Sequence, residues 1–165
     1  MTFRWMIAAA AALMLLACAP DRTAIAAAAM DEGRTFLTTN AKAPGVITLA
    51  SGLQYKIIKS GPADGLKPRR GDEVKVNYEG KLISGKVFDS SYQRGIPSAL
   101  PLDALVPGWI EALQLMRPGD EWILYVPSNL AYGENGAGEI PPGSTLIFRI
   151  ELLDVLPGPG HPSQG

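Results

Sequence analysis

Thr145-Leu-Ile-Phe-Arg-Ile-Glu-Leu-Leu153 decides the fold. Read in steps of two, it puts Leu146, Phe148, Ile150 and Leu152 on one face and Arg149 and Glu151 on the other, the pattern of a strand with one face in a core. Such a strand needs neighbours, and the sequence upstream supplies them. Leu53, Tyr55 and Ile57 alternate with Gln54 and Lys56; Val74, Val76 and Tyr78 alternate with Lys75, Asn77 and Glu79. Trp122-Ile-Leu-Tyr-Val126, bounded by Glu121 and Pro127, is a continuous apolar run and reads as a central strand buried on both faces, with Trp122 and Tyr125 as core packing. Gly108 to Met116 instead spaces Trp109, Ala112, Leu113 and Met116 as one face of a helix, and Pro118-Gly119 stops it. One short amphipathic helix against a curled antiparallel sheet, an α+β architecture, is what these segments describe.

Composition narrows the chemistry. The 165 residues, 47% hydrophobic and 19% charged, suit one domain with something left over. Eighteen glycines and fourteen prolines make up about a fifth of the chain, against a usual ~12%. No proline precedes Pro20, and from Pro97 they recur so often that only short helices and strands fit. A helical bundle, a coiled coil and a doubly wound α/β fold are therefore poor fits. The formal charge of -1, with no basic run, gives no footprint for nucleic acid. Cys18 is the single cysteine, which excludes an intrachain disulfide and a cysteine-built zinc site. The one histidine, His161, lies in a Pro/Gly tail, so a Ser-His-Asp triad and imidazole acid–base chemistry are absent. Gly133-Glu-Asn-Gly-Ala-Gly138 leads to Pro141-Pro142 rather than to a helix, and reads as a hairpin or lid loop instead of a phosphate cradle. An enzyme built from these residues works without a nucleophile, a metal or a cofactor.

The first residues read as a targeting segment. Arg4 is followed by an apolar stretch, Met6 to Ala17, too short to span a bilayer and of the length of a secretory signal. Leu15-Leu16-Ala17-Cys18 resembles the bacterial lipobox, in which the cysteine thiol takes a diacylglyceryl group. Residues 1–17 are thus expected as a lipoprotein signal peptide. Residues 18–45 are expected as the anchor and a flexible tether, because the alternative, a helix over part of 26–41, shows no sustained apolar stripe; 46–157 are expected as the folded domain and 158–165 as a disordered tail. The lipobox resemblance implies, with Ala19 rather than an aspartate after the cysteine, sorting to the outer membrane, facing the periplasm. The alternative is an ordinary signal peptide cut near Ala24-Ile25-Ala26, which would leave a soluble periplasmic protein.

Aromatic side chains at strand ends and around the helix carry the remaining signal. Val76-Asn-Tyr-Glu-Gly80, Gly85-Lys-Val-Phe-Asp-Ser-Ser91, Val106-Pro-Gly-Trp109, Leu130-Ala-Tyr-Gly133 and Ile140-Pro-Pro-Gly-Ser-Thr-Leu-Ile-Phe148 resemble, in order and spacing, the FKBP-type peptidyl-prolyl cis-trans isomerases. The resemblance implies five to six antiparallel strands wrapped around one short helix, with an apolar pocket between them. It implies Trp109 as the pocket floor and Tyr78, Phe88, Leu105, Val106 and Phe148 as walls. Asp89, Tyr132 and the Val106 N–H would be polar contacts to a bound peptide, Arg94 the partner of Asp89, and Ile140 a cap on the rim. Its implied partners are proline-containing polypeptides, such as unfolded exported proteins, and the macrolide inhibitors of the family.

Departures from the family pattern are Ser98 near a wall, a loop from Gly133 to Ile140 one residue short, Glu139 in place of an apolar residue, and Ala112 where a glycine is common. They leave a second reading open, a proline-binding chaperone or scaffold module with little turnover. Phe36 to Gly45 resembles the join that follows a long dimerisation arm in periplasmic members; few residues precede it here, and a monomer is expected.

Overall fold

The computed structural model describes residues 21–159. The expected signal peptide, Cys18, the end of the tail and His161 lie outside the described residues. In chain order the elements are helix α1 (Arg22–Asn40), strands β1 (Val46–Thr48), β2 (Gln54–Lys59), β3 (Glu73–Leu82) and β4 (Val87–Ser90), the single turn α2 (Ser91–Arg94), β5 (Ser98–Pro101), helix α3 (Pro107–Leu113), and strands β6 (Glu121–Val126) and β7 (Leu146–Leu156). The sheet is antiparallel, in the order β1-β2-β6-β7-β3-β4, with β5 also paired to β3. Seven strands stand where five to six were expected. The short β1 and β5 span three and four residues, too few to show a period of two.

The alternation in β7 is realised as read: Leu146, Phe148, Ile150 and Leu152 are buried. They meet Val74 and Val76 of β3, Leu124 and Val126 of β6, and Trp109, Ala112, Leu113 and Met116 from α3 and the turn after it in one core. Pro107 opens α3 at its first position, where a missing N–H costs nothing. Gly108 lets the helix sit close, since a Cβ there would lie 2.6 Å from Val126 Cγ1. Strand β6 is central but not buried on both faces. Its residues alternate, with Trp122, Leu124 and Val126 in the core and Ile123 and Tyr125 half-buried on the outer face. Tyr125 is therefore no core residue; its ring lies 6.0 Å from that of Phe36 in α1.

The largest correction concerns the expected flexible tether. Residues 22–40 form a helix, opened by Asp21, whose carboxylate accepts the Thr23 N–H at 3.0 Å. The helix lies against the domain: Asn40 Nδ2 donates to Gln54 Oε1 at 2.9 Å, and Gln54 Nε2 donates to the Leu37 carbonyl at 2.9 Å. Its inward positions are 26, 29, 30, 33, 36, 37 and 40, a helical period. Alanine and glycine occupy the closest contacts, Ala26 and Gly33, so hydropathy shows little stripe although the geometry is regular. At the other end, Gly158 of the expected disordered tail donates its N–H to Asp72 Oδ1 at 2.9 Å and is part of the folded unit.

Gly33 gives this docking a direct test. A Cβ at position 33 would lie 2.1 Å from Thr145 Oγ1. We expect Gly33→Ala to destabilise the chain by about 1–3 kcal/mol through overpacking, despite a helix-propensity gain of about 1 kcal/mol. Gly33→Ala combined with Thr145→Ala should recover the loss in urea unfolding. Equal stability of the single variant and the wild type would show that α1 does not press on Thr145.

Candidate active site

The β3–β7 ladder brings the site together. Tyr78 faces Ile150 and Gly80 faces Phe148 across it. A Cβ on Gly80 would lie 2.7 Å from both the Phe148 and the Phe88 rings, so only glycine lets the two meet. They pack edge to face at 5.8 Å. Trp109, in the first turn of α3, lies edge-on to Tyr78 and to Phe148, each at 5.2 Å between centroids. Four rings, Tyr78, Trp109, Phe148 and Phe88, thus form a continuous perpendicular chain in the preferred geometry.

An irregularity adds the polar group. Between β3 and β4, Gly80 faces Asp89 and Lys81 faces Val87, which leaves Phe88 as an extra residue. In a regular strand Phe88 and Asp89 would point to opposite faces. The bulge lets both line the same pocket. Next to it β3 loses its neighbour, because β4 pairs only with residues 79–81 and β5 only with 73–76. Ser91 fills the gap: its Oγ accepts the Tyr78 N–H at 2.8 Å and donates to Asn77 Oδ1 at 3.3 Å.

The cavity has a volume of about 250 Å³ and is lined by Tyr78, Phe88, Asp89, Trp109, Tyr132 and Phe148 together with Leu105 and Val106. The sequence reading had placed all eight there. Leu100 and Ala104 also line it and were missed: Leu100 lies in the short β5, and Ala104 has a side chain too small to mark a wall. Ile140, expected as a cap on the rim, is not on the lining; it is buried in the core cluster. Arg94 stands behind the lining. Its guanidinium donates to Asp89, and it reaches the Tyr78 hydroxyl at 3.1 Å and Ser98 Oγ at 3.2 Å. Glu139 turns to Lys86, 3.0 Å away, in an exposed ion pair.

Asp89 accepts hydrogen bonds from the Tyr78 hydroxyl and from Arg94. Partial burial opposes its charge, but these two bonds and the Arg94 charge outweigh it and hold the carboxyl below the usual carboxylate range. Burial, and then the bond to Asp89, push the Tyr78 hydroxyl up. Asp89 is therefore an anion and Tyr78 a neutral donor at physiological pH. Tyr132, on the loop after β6, is 41% exposed at the mouth. The Val106 N–H, just before α3, has no acceptor among the described residues. The arrangement is an apolar aromatic cup with one carboxylate and two unsatisfied donors at its edge. It is suited to holding an amide, and it has no group placed for proton transfer or nucleophilic attack.

Comparison with known proteins gives the family. Residues 65–153 match the model of the FKBP-type peptidyl-prolyl cis-trans isomerase family, and residues 7–57 that of a domain amino terminal to it. The chain is 54% identical over 126 residues to the peptidyl-prolyl cis-trans isomerase Mip of Coxiella burnetii, covering 76% of this chain and 54% of that protein. It is 48% identical over 125 residues to the outer membrane protein MIP of Legionella longbeachae, covering 75% and 53%. The crystal structure of FkpA from Escherichia coli superposes with a TM-score of 0.80 at 43% identity, over 84% of this chain and 64% of that one. The chain spans about half the length of the curated relatives it matches. On the match of residues 65–153 to the family model and the identity to these relatives, the chain belongs to the FKBP-type peptidyl-prolyl cis-trans isomerase family.

Proposed function

We propose that this protein accelerates cis-trans rotation about X-Pro bonds in unfolded or newly exported polypeptides. The observation that carries the reading is the perpendicular chain of Tyr78, Trp109, Phe148 and Phe88 around a cavity large enough for a prolyl ring. Rotation about a peptide bond faces a barrier of ~18–20 kcal/mol because resonance makes the C–N bond partly double. The planar amide is more dipolar than the twisted one and is better solvated by water. Moving it into an apolar cup removes that solvation and favours the twisted state, which is catalysis by differential binding. In this reading Trp109 is the floor under the ring, and Phe88, Leu105 and Phe148 hold it in place. Tyr132 and the Val106 N–H take flanking carbonyls. Asp89, fixed by Tyr78 and Arg94, faces the rotating acyl group. The macrolide inhibitors of the family would compete for the same cup.

Location gives the activity a use. Uncatalysed isomerisation takes ~10–100 s at 25 °C, long enough to limit folding after export. The apolar segment before Cys18, and the similarity to the outer membrane protein MIP of Legionella longbeachae, support a chain anchored through a lipid on Cys18 at the outer membrane. Among the described residues no helix is long and apolar enough to cross a membrane.

Exchange spectroscopy on short X-Pro peptides tests the activity. We expect Phe88→Ala and Asp89→Ala each to lower kcat/KM by about tenfold, equivalent to ~1.4 kcal/mol of transition-state stabilisation. A folded chain without acceleration for several X residues would replace catalysis by simple binding.

The Asp89 shift also fixes the sign of a pH effect. Its folded-state pKa lies below the ordinary 3.8, so its contribution to stability is present above that value and lost as the pH falls through the lower, folded one. The difference in unfolding midpoint between wild type and Asp89→Asn should stay constant near neutrality and shrink only below pH 3.8. A difference that already shrinks well above it would contradict the network. For the anchor, cells fed a palmitate analogue should label the wild type and leave Cys18→Ala unlabelled; equal labelling of both would remove the lipid from the account.

A further inference from the structure

A second cavity of about 400 Å³ opens beyond the far end of α3 from the Trp109 floor, where the turn after the helix and the loop after β2 meet the core face of the sheet. Its walls are fixed. Tyr55 and Trp122 stack in parallel at 4.4 Å, with ring planes 10° apart. Asp120 ties the two loops together, accepting the Gly61 N–H at 2.6 Å and the Arg117 N–H at 2.8 Å. A Cβ on Gly61 would lie 2.1 Å from the Pro118 carbonyl oxygen, so the loops are already as close as backbone allows.

Two features of this cavity are unsatisfied. Lys67 and Arg117 line it, and neither has an ion-pair partner among the described residues; the one carboxylate on the lining, Asp120, is occupied by backbone donors. Second, β1 pairs with β2 only as far as Lys56. Ile57 to Lys59 therefore present an open strand edge beside the cavity, with Ile57 and Ile58 43% and 49% exposed.

We propose that this cavity is a second polypeptide-binding site, separate from the proline cup, that takes an extended segment carrying an apolar side chain next to an acidic one. The segment adds along the free edge of β2, as extended peptides do at open sheet edges. Its apolar side chain lies against Ile57 and the Tyr55–Trp122 stack, and its carboxylate meets Lys67 and Arg117. Charge complementarity selects the occupant: the two cations outnumber the single Asp120 carboxylate on the lining, and this net positive charge over an aromatic wall favours an acidic segment over a basic one. The site needs no proline, so it would hold parts of an unfolded chain that the cup does not read.

The test is a titration of the full-length protein with the proline-free peptide acetyl-Ala-Phe-Glu-Ala-amide, followed by the indole N–H signals of Trp122 and Trp109, with isomerisation measured on the same samples. We expect a saturable shift of the Trp122 signal, an unmoved Trp109 signal and an unchanged isomerisation rate. Replacing Glu by Gln in the peptide, or Lys67→Gln or Arg117→Gln in the protein, should weaken binding about tenfold, the weight of a charge-assisted hydrogen bond. The peptide replacement needs no altered protein, so a variant that fails to fold does not spare the proposal. A Trp122 signal still at millimolar peptide, equal binding of the Gln peptide, or movement of Trp109 instead would each overturn it. None of these outcomes depends on whether the proline cup turns over.

Discussion

The antiparallel pairing of β3 with β7, from Glu73 opposite Leu156 to Leu82 opposite Leu146, sets where everything else can go. It shifts register once, between Lys75 and Val76, and beyond that point keeps Tyr78, Gly80, Phe148 and Ile150 on the face that receives α3. Gly80 is the narrowest point of this ladder. With no side chain there, Phe88 from the next strand and Phe148 from the opposite one fill the space, and the aromatic cup closes around Trp109. The apolar core and the cup are therefore one packing problem: the same rows of β7 and α3 that exclude water from the core supply the floor and walls of the cavity.

Polar groups enter only where the regular sheet is broken. The extra residue at Phe88 turns Asp89 inward, and the interval between β4 and β5 leaves room for Ser91 to satisfy the Tyr78 backbone. A carboxylate beside four rings would be costly if alone. Here both of its oxygens accept a hydrogen bond, one from Tyr78 and one from Arg94, and its charge is held rather than quenched. Arg94 also lies 5.5 Å from the centre of the Tyr78 ring, so one cation serves the carboxylate and the aromatic wall together. The outcome is an anion of fixed direction in a cup that otherwise offers only apolar surface.

Helix α1 closes the opposite side. It runs over the outer face, from Ala26 against Gly143 to Asn40 against Gln54, and Arg22 donates to the Asn135 carbonyl at 3.2 Å. The loop it touches at its first turns is the one that carries Tyr132, and the Gly143 N–H closes that loop onto the Gly133 carbonyl at 2.9 Å. The closest of these contacts are made by small residues, Ala26 and Gly33, which bring the helix backbone near the domain without a strong apolar stripe that hydropathy would register.

Periodicity in the sequence by itself determined the inward rows of β3 and β7 and the face of α3, while the family resemblance carried by the five motif blocks, with Leu105 just ahead of the third, pointed to the eight side chains that share the cup. Those signals are local: side chains alternate in a strand and recur every three to four residues in a helix whatever the rest of the chain does. Tertiary structure alone decided three things. It placed Tyr125 outside the core, because a strand covered on one face by α3 and touched on the other by Phe36 reads as an unbroken apolar run. It drew Ile140 into the core and Leu100 and Ala104 to the cup, because a wall is made by whichever residues converge from distant segments. It also turned residues 22–40 into a docked helix, because close approach rewards the absence of side chains at Gly33 and Gly143, and an absent side chain leaves no mark in a hydrophobic pattern.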